Sequence, residues 1–129
     1  MMRPVCLDSS AWIEIAHNGP NAEAFLKAVH AMDQVIVSTI TFYEVYKYTL
    51  IRADETRAQQ LADLLQQGHV VPPDTQIAIA AAKVGQRHKI AMADALIYAT
   101  AIAHNATLWT QDADFKKLPQ VKFLPKPAL

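Results

Sequence analysis

Short apolar runs alternate along the chain with longer segments in which apolar residues recur every third or fourth position. The runs are rich in β-branched residues and bounded by turn or cap residues, which predicts strands at 4–7, 35–38, 69–71, 107–109 and 121–124. The longer segments predict helices at 10–17, 21–31, 40–53, 55–67, 75–88 and 93–104. Strands that alternate with helices favour a parallel sheet covered on both faces. We therefore expect an α/β fold, a three-layer α/β/α sandwich with a central, mainly parallel sheet.

Length and composition limit how the chain is organised. It has 129 residues, of which 52% are hydrophobic, enough to bury the core of one domain. No linker, repeat or low-complexity tract divides the sequence, so we expect a single domain that spans 1–129. The formal net charge is zero, which excludes the strongly basic class of non-specific nucleic-acid binders. A polyanionic substrate would therefore need a local basic patch or a metal ion.

Cysteine usage and hydropathy indicate the compartment. The chain has one cysteine, Cys6, inside a predicted buried strand, and we interpret it as a small core residue. A single cysteine excludes an intramolecular disulfide and fits a reducing compartment. No apolar segment reaches the roughly 20 residues that a membrane span requires, and residues 1–4 do not resemble the apolar part of a signal peptide. We expect a cytoplasmic protein with no membrane partner.

Four acidic residues occupy places where the predicted elements begin or end. Asp8 and Asp112 follow predicted strands, Asp94 lies in the first turn of a helix, and Glu44 lies about one turn into another. In an open α/β sheet, ligands bind beyond the carboxyl ends of the strands, so these acids can face one edge of the sheet. Carboxylates held together raise one another's pKa unless a cation neutralises them. The pattern favours a divalent metal site suited to phosphoryl-transfer chemistry.

Each acid also has an ordinary structural interpretation. Asp94 and Asp112 could stabilise helix starts by binding free amides and by complementing the helix dipole. Asp8 could likewise cap the helix after the first strand. Glu44 could pair with Lys47, three residues later on the same helix surface. The interpretation as a metal site therefore depends on the four acids as a set.

Hydroxyl groups and a fifth acid lie beside the four. Ser9, Ser10 and Thr110 could orient carboxylates or a bound phosphate, and their alternative roles are to end a strand or cap a helix. Asp114 either adds to the site or lies in an exposed, charged turn before Lys116. Both interpretations of Asp114 stay open at the level of the sequence.

Other familiar site chemistries lack support. The five histidines are isolated from one another, and no His/Cys spacing resembles a zinc site. The three glycines do not form a phosphate-binding loop, which argues against the nucleotide-cofactor folds. The carboxylates therefore remain the strongest candidates for the chemistry.

Four segments resemble, in order, the signature segments of PIN domains. They are LDSSAWIE at 7–14, FYEV at 42–45, MADALIYATA at 92–101 and TQDADF at 110–115. Together they span nearly the whole chain. Within this family, the chain most resembles the small, single-domain VapC-like toxins. One departure precedes Asp94, where KIAM at 89–92 stands in place of the glycine-containing loop of many relatives.

The resemblance implies a PIN-like fold and a metal-dependent endoribonuclease, a hydrolase that acts as the toxin of a type II toxin–antitoxin system. It implies a Mg²⁺ or Mn²⁺ site formed by Asp8, Glu44, Asp94 and Asp112, with Ser9, Thr110 and Asp114 in supporting positions. The implied partners are an RNA substrate, a cognate antitoxin and a second copy of the chain in a homodimer. Candidates for the dimer interface are Trp12, Ile13, Tyr43 and Tyr46.

Two other functions fit parts of the same pattern. A receiver-type phospho-switch also uses an acidic Mg²⁺ site on an α/β sheet, with a threonine such as Thr110 at a strand end and a Lys-Pro pair, here at Lys126. It would need Asp74 as its phosphate acceptor, and Asp8 is followed by a serine where receivers have a second acid. The other alternative is a PIN fold that binds partners without catalysis, because intact acids do not prove turnover.

Overall fold

The computed structural model describes residues 3–127, and the predicted domain, 1–129, extends at both ends to residues outside this range. The strands are β1 Val5–Leu7, β2 Val35–Ser38, β3 His69–Val71, β4 Thr107–Thr110 and β5 Val121–Phe123. The α-helices are α1 Ser9–Ala16, α2 Ala22–Ala28, α3 Thr39–Arg52, α4 Glu55–Leu65, α5 Thr75–His88 and α6 Met92–Ala103. Two short 3-10 helices, Met32–Gln34 and Ala113–Phe115, precede β2 and β5.

The five strands form one sheet in the order β3-β2-β1-β4-β5, and every pairing is parallel. From β1 at the centre, the chain runs through β2 to the edge strand β3, then returns to β4 and β5 on the other side. This reversal creates a topological switch point between the carboxyl ends of β1 and β4, where open α/β sheets bind their ligands. The predicted α/β class is confirmed, and the sheet is parallel throughout.

Alternate residues of the strands face two separate hydrophobic cores, because side chains alternate across a strand. Cys6 and Leu108 pack with residues of α5 and α6 on one face. Leu7 and Val37 pack with residues of α1 to α4 on the other face. Full burial of one such leucine stabilises the fold by about 1.5–3 kcal/mol. The helices form two outer layers, which confirms the three-layer sandwich.

Several helices and strands begin or end one to three residues away from their predicted bounds. α2 ends at Ala28, and a 3-10 helix brings the chain to β2. β4 extends to Thr110, which pairs in register with Phe123 of β5. The 3-10 helix Ala113–Phe115 was not predicted, since three residues are too few to show a helical period. None of the helices within residues 3–127 is long and apolar enough to cross a membrane.

The KIAM segment turns the chain from α5 into α6 without a glycine. Lys89 ends α5 in the left-handed conformation, with a φ of 56°, a conformation that glycine adopts with less strain. Ala91 then precedes the first residue of α6 in extended conformation. This turn places Asp94 in the first turn of α6, as the sequence predicted.

Candidate functional site

The candidate site lies at the switch point between β1 and β4. The two strands are neighbours, with Leu7 opposite Trp109, so their carboxyl ends lie side by side. Asp8 follows β1 directly, and Asp112 comes just after the last residue of β4. The sheet order therefore brings together two acids from opposite ends of the sequence.

Asp8 is the most buried of the predicted site acids, with 2% of its surface exposed. Its Oδ1 accepts hydrogen bonds from the Ala11 amide at 3.0 Å and the Ser10 hydroxyl at 2.8 Å. Its Oδ2 accepts one from Thr110 Oγ1 at 2.6 Å. The bond from Ala11 makes Asp8 the N-cap of α1, so its structural role is real. Burial raises the pKa of Asp8 from 3.8 to about 6, against the lowering effect of these hydrogen bonds.

Thr110 connects Asp8 to the loop after β4. Its fully buried hydroxyl donates to Asp8 Oδ2 and accepts a hydrogen bond of 2.9 Å from the Asp112 amide. A hydroxyl can donate one hydrogen bond and accept others, so this one is satisfied in both capacities. The expected contact between Thr110 and a carboxylate is present.

Glu44 lies in the second turn of α3 and is half-buried. Its Oε1 accepts a hydrogen bond of 2.7 Å from Ser9 Oγ, at the start of α1. The alternative pairing with Lys47 does not occur, because within residues 3–127 the only salt bridge joins Lys27 to Glu23. The Glu44 carboxylate is therefore oriented by a neighbouring helix.

Three acids, Asp94, Asp112 and Asp114, each place one carboxylate oxygen so that all three lie within 4.8 Å of one another. Asp94 and Asp112 are half-buried, and Asp114 is exposed. Asp112 Oδ1 accepts a hydrogen bond of 2.9 Å from the Asp114 amide and so caps the short helix Ala113–Phe115. Asp114 therefore joins the acidic cluster directly, and its spacing of two residues from Asp112 was the sequence signal for this.

The charges of the other acids act on Asp94. Burial and then repulsion raise the pKa of Asp94 from 3.8 to about 6, and the repelling groups are Asp112, Glu44, Asp8 and Asp114. All five acids therefore share one electrostatic environment, although Asp8 and Glu44 are not among the three whose oxygens converge. A cation among them would relieve the repulsion.

One polar contact beside the site was not predicted. Gln111 follows β4, is 9% exposed, and accepts a hydrogen bond of 3.1 Å at Oε1 from Asn21 Nδ2. The backbone N–H of Asn21 donates to Glu14 Oε2 at 2.9 Å. The start of α2 thus holds the loop that carries Asp112. A polar residue directly after a buried strand was the only sequence signal for this contact.

Two expectations away from the site have opposite outcomes. Cys6 is fully buried, and burial raises its pKa to about 12, so it is a core residue, as predicted, without a reactive thiolate. Trp12 was expected at a dimer interface but is 1% exposed. It packs in the core beside Phe25 and Val45, because its face of α1 points toward the sheet. The expectation that Trp12 lies at a dimer interface was therefore wrong.

The sheet order contradicts the receiver-type alternative. Receiver domains have the strand order 2-1-3-4-5, whereas the order here is 3-2-1-4-5. Asp74, the phosphate acceptor that this alternative requires, accepts a hydrogen bond of 2.8 Å from the Ile77 amide and caps α5. It follows the edge strand β3, which β2 separates from β1, so it does not lie at the switch point.

Several solved structures share this fold. A toxin–antitoxin complex from Klebsiella pneumoniae is 25% identical with a TM-score of 0.81, and the match covers 95% of this chain and 99% of that one. FitAcB from Neisseria gonorrhoeae is 26% identical with a TM-score of 0.71, covering 94% and 97%. The Mycobacterium tuberculosis toxin VapC20, which cleaves the sarcin-ricin loop, is 17% identical with a TM-score of 0.72, covering 89% and 95%. At that identity, the likeness to VapC20 shows the fold alone.

The sequence itself matches the family model of the PIN domain over residues 5–121. A comparison with curated protein sequences found no match. The matched range contains all five acids of the candidate site, and the structural neighbours include VapC toxins and their complexes. The predicted resemblance is confirmed, and the chain belongs to the PIN domain family.

Proposed function

We propose that the protein is a metal-dependent endoribonuclease that hydrolyses RNA phosphodiester bonds, and that it is the toxin of a type II toxin–antitoxin system. The observation that carries the proposal is the convergence of Asp94, Asp112 and Asp114 within 4.8 Å, beside Asp8 and Glu44. Membership of the PIN family supports a nuclease activity. The similarity to a toxin–antitoxin complex supports a cognate antitoxin as partner.

The acidic cluster fits Mg²⁺ or Mn²⁺. Its donors are all carboxylate oxygens, which these ions prefer. Burial and then repulsion by the other acids raise the pKa of Asp94, and a cation would offset the repulsion. Asp94, Asp112 and Asp114 would hold the ion directly, with Asp8 and Glu44 completing the acidic environment. When bound, the ion polarises the phosphodiester and lowers the pKa of a coordinated water.

The chain itself holds the carboxylates in place before any ligand arrives. Ser9 orients Glu44, and Ser10 and Thr110 orient the two oxygens of Asp8. Groups already held by hydrogen bonds lose little freedom when they engage a substrate, which favours reaction. The burial of Asp8 and Thr110 also keeps water from this end of the site.

A homodimer that forms through α3 and α6 is part of the proposal. Tyr43, Ile51 and Met92 are 56%, 70% and 78% exposed. With Ile40 and Leu96 they line a groove of about 630 Å³, and we call these five residues the α3–α6 patch. Large apolar side chains that cluster on a surface favour association. The patch retains Tyr43 from the predicted interface and leaves out the buried Trp12.

RNA cleavage by the purified protein tests the nuclease proposal. The wild type is expected to cut RNA only with Mg²⁺ or Mn²⁺ present. Asp94→Asn and Asp112→Asn remove one charge each with little change in volume, and both are expected to lose nearly all activity. Asp33→Asn, at an exposed position in the helix Met32–Gln34, is the matched control and should keep it.

Two results would contradict the proposal. Activity of Asp94→Asn equal to that of the wild type would remove the acids from the chemistry and indicate a contaminating nuclease. Folded, metal-loaded wild-type protein that binds RNA without cutting it would instead identify a PIN fold that serves as a binding module.

A further inference from the structure

A second groove lies between the C-terminal ends of α1 and α3 and the start of α4. It has a volume of about 560 Å³, and its polar lining consists of His17, Tyr48, Thr49, Arg52, Arg57 and Gln60. Within the part of the chain that the structure describes, no acidic residue lines it. Two arginines in a groove without carboxylates favour an anion as the ligand.

An aromatic ring holds one of these arginines. Arg52 Cζ lies 4.1 Å from the centre of the Tyr48 ring, well within the range of cation–π attraction. His17 meets the same ring edge-on, with 5.5 Å between the ring centres and 90° between the planes. A guanidinium that stacks on a ring keeps its in-plane N–H donors available for bidentate contact with a phosphate.

Neither guanidinium forms a salt bridge among residues 3–127, where the pair Lys27–Glu23 is the only one. An arginine in the last turn of a helix complements the helix dipole, which accounts in part for Arg52. The same effect disfavours Arg57, which lies in the first turn of α4. Asp54 and Glu55 supply negative charge in this turn, but within residues 3–127 neither forms a salt bridge with Arg57, so its guanidinium is open to an anionic ligand.

The groove is continuous with the candidate site. Glu44, Tyr48 and Arg52 follow one another at intervals of four residues and therefore form one stripe along α3. Tyr48 and Arg52 line both this groove and the neighbouring groove that contains Glu44. Glu44 and Arg52 are about 12 Å apart along the helix axis, at 1.5 Å per residue. That neighbouring groove is the one that the α3–α6 patch lines. His17, Arg57 and Gln60 line only the first groove, so this part of it stays accessible when the patch is occupied.

We propose that this groove, the Arg52–Arg57 groove, binds a backbone phosphate of the single-stranded RNA substrate a few nucleotides from the bond that is cut. This inference rests on the proposed ribonuclease function and names one of its substrate contacts. Arg52 and Arg57 hold the phosphate, and Tyr48 and His17 offer aromatic surface to a neighbouring base. Continuity with Glu44 favours RNA over a peptide carboxylate as the anion. The groove also explains how a protein of zero net charge retains a polyanion beside an acidic cluster.

The test measures RNA affinity in the Asp94→Asn background, where the RNA stays intact. Fluorescence anisotropy is recorded with a labelled single-stranded RNA of about twelve nucleotides at several salt concentrations. Adding Arg52→Gln and Arg57→Gln together should weaken binding by about tenfold or more and reduce its salt dependence. Adding Lys83→Gln and Arg87→Gln removes the same charge from exposed positions on α5 and should leave the affinity nearly unchanged. Circular dichroism and thermal melting verify that both double variants are folded.

Three results would overturn the inference, and they are distinguishable. If the wild type cuts RNA but the Arg52/Arg57 variant binds RNA with unchanged affinity, the groove is not part of the substrate path. The ribonuclease function would then remain intact. A wild-type protein that neither binds nor cuts RNA would remove both proposals. If the substitutions at Arg52 and Arg57 weaken binding of an acidic peptide but not of RNA, the groove belongs to a protein partner.

Discussion

Thr110 Oγ1 donates a hydrogen bond of 2.6 Å to Asp8 Oδ2 across 102 residues of sequence. The bond joins the end of β1 to the end of β4 at the switch point of the sheet. The same hydroxyl accepts a hydrogen bond from the Asp112 amide. One buried side chain therefore connects the deepest acid of the site to the loop that carries two others.

Thr110→Val tests this connection. It removes a hydrogen bond from a buried carboxylate, which costs about 1–3 kcal/mol, so the free energy of unfolding should fall by that amount. Because this bond lowers the pKa of Asp8, its loss should raise that pKa and shift the acidic limb of the RNA-cleavage profile to higher pH. Urea denaturation and a pH–rate profile in Mg²⁺ measure the two effects.

Thr107→Val, on the same strand, is the control for that variant. Thr107 is half-buried, and its hydroxyl makes no hydrogen bond within residues 3–127. We expect it to retain the wild-type pH profile. If Thr110→Val keeps the wild-type profile as well, the hydroxyl does not tune Asp8.

The stability of the metal-free protein should depend on the burial of Asp8. The pKa of Asp8 is about 6 in the folded chain and 3.8 ordinarily, so the folded state binds this proton more tightly. The stability that the proton contributes is complete below pH 3.8 and is lost as the pH rises through about 6. Asp8→Asn lacks the titrating group and should not lose this stability. The difference in the free energy of unfolding between Asp8→Asn and the wild type should therefore shift in favour of the variant by about 2–3 kcal/mol between about pH 4 and pH 7.

Urea denaturation in EDTA at a series of pH values measures this difference. Asp33→Asn should follow the wild type at every pH, since Asp33 is exposed. The pKa of Asp94 is also raised to about 6, so Asp94→Asn should change the pH dependence in the same direction. A constant difference between Asp8→Asn and the wild type across this range would contradict the raised pKa.

Divalent metal should stabilise the folded protein. An ion that binds only the folded state adds about 2.7 kcal/mol at a hundredfold excess over its dissociation constant, so the melting temperature should rise with Mg²⁺ or Mn²⁺. Asp94→Asn, Asp112→Asn and Asp114→Asn should each reduce this rise. Calcium should also bind, but its looser coordination should support cleavage poorly.

Differential scanning fluorimetry with a metal titration measures these shifts. Asp74→Asn is the control, because Asp74 caps α5 away from the cluster and asparagine is also a good N-cap. A full metal response in all three cluster variants would mean that these acids do not share an ion.

The α3–α6 patch should hold two copies of the chain together. Ile51→Lys or Met92→Lys places a charge on this exposed apolar surface and should convert the dimer to a monomer. Ile79→Lys is the matched control, since Ile79 is 55% exposed on α5 and lies outside the patch. Multi-angle light scattering measures the mass of each variant, and a monomeric wild type at all working concentrations would end this proposal.

Local pattern predicted most of the elements because strand and helix periods are written into neighbouring residues. The β-branched run at Val35–Ser38 and the helical period of Thr75–His88 appear at the predicted places. Where the pattern failed, short-range rules had too little sequence to act on, as in the 3-10 helix Ala113–Phe115. The burial of Trp12 also escaped prediction, since the side of α1 that meets the sheet depends on packing.

By itself, the sequence determined the α/β class, the acids that follow the strands and the resemblance to PIN domains, because each depends on residue type and local spacing. Only the tertiary structure decided which of those acids meet. The order 3-2-1-4-5 places Asp8 beside Thr110, and the turn after β4 brings Asp114 to Asp94. These contacts join residues far apart along the chain, and their geometry comes from strand pairing and core packing. No local period encodes those interactions.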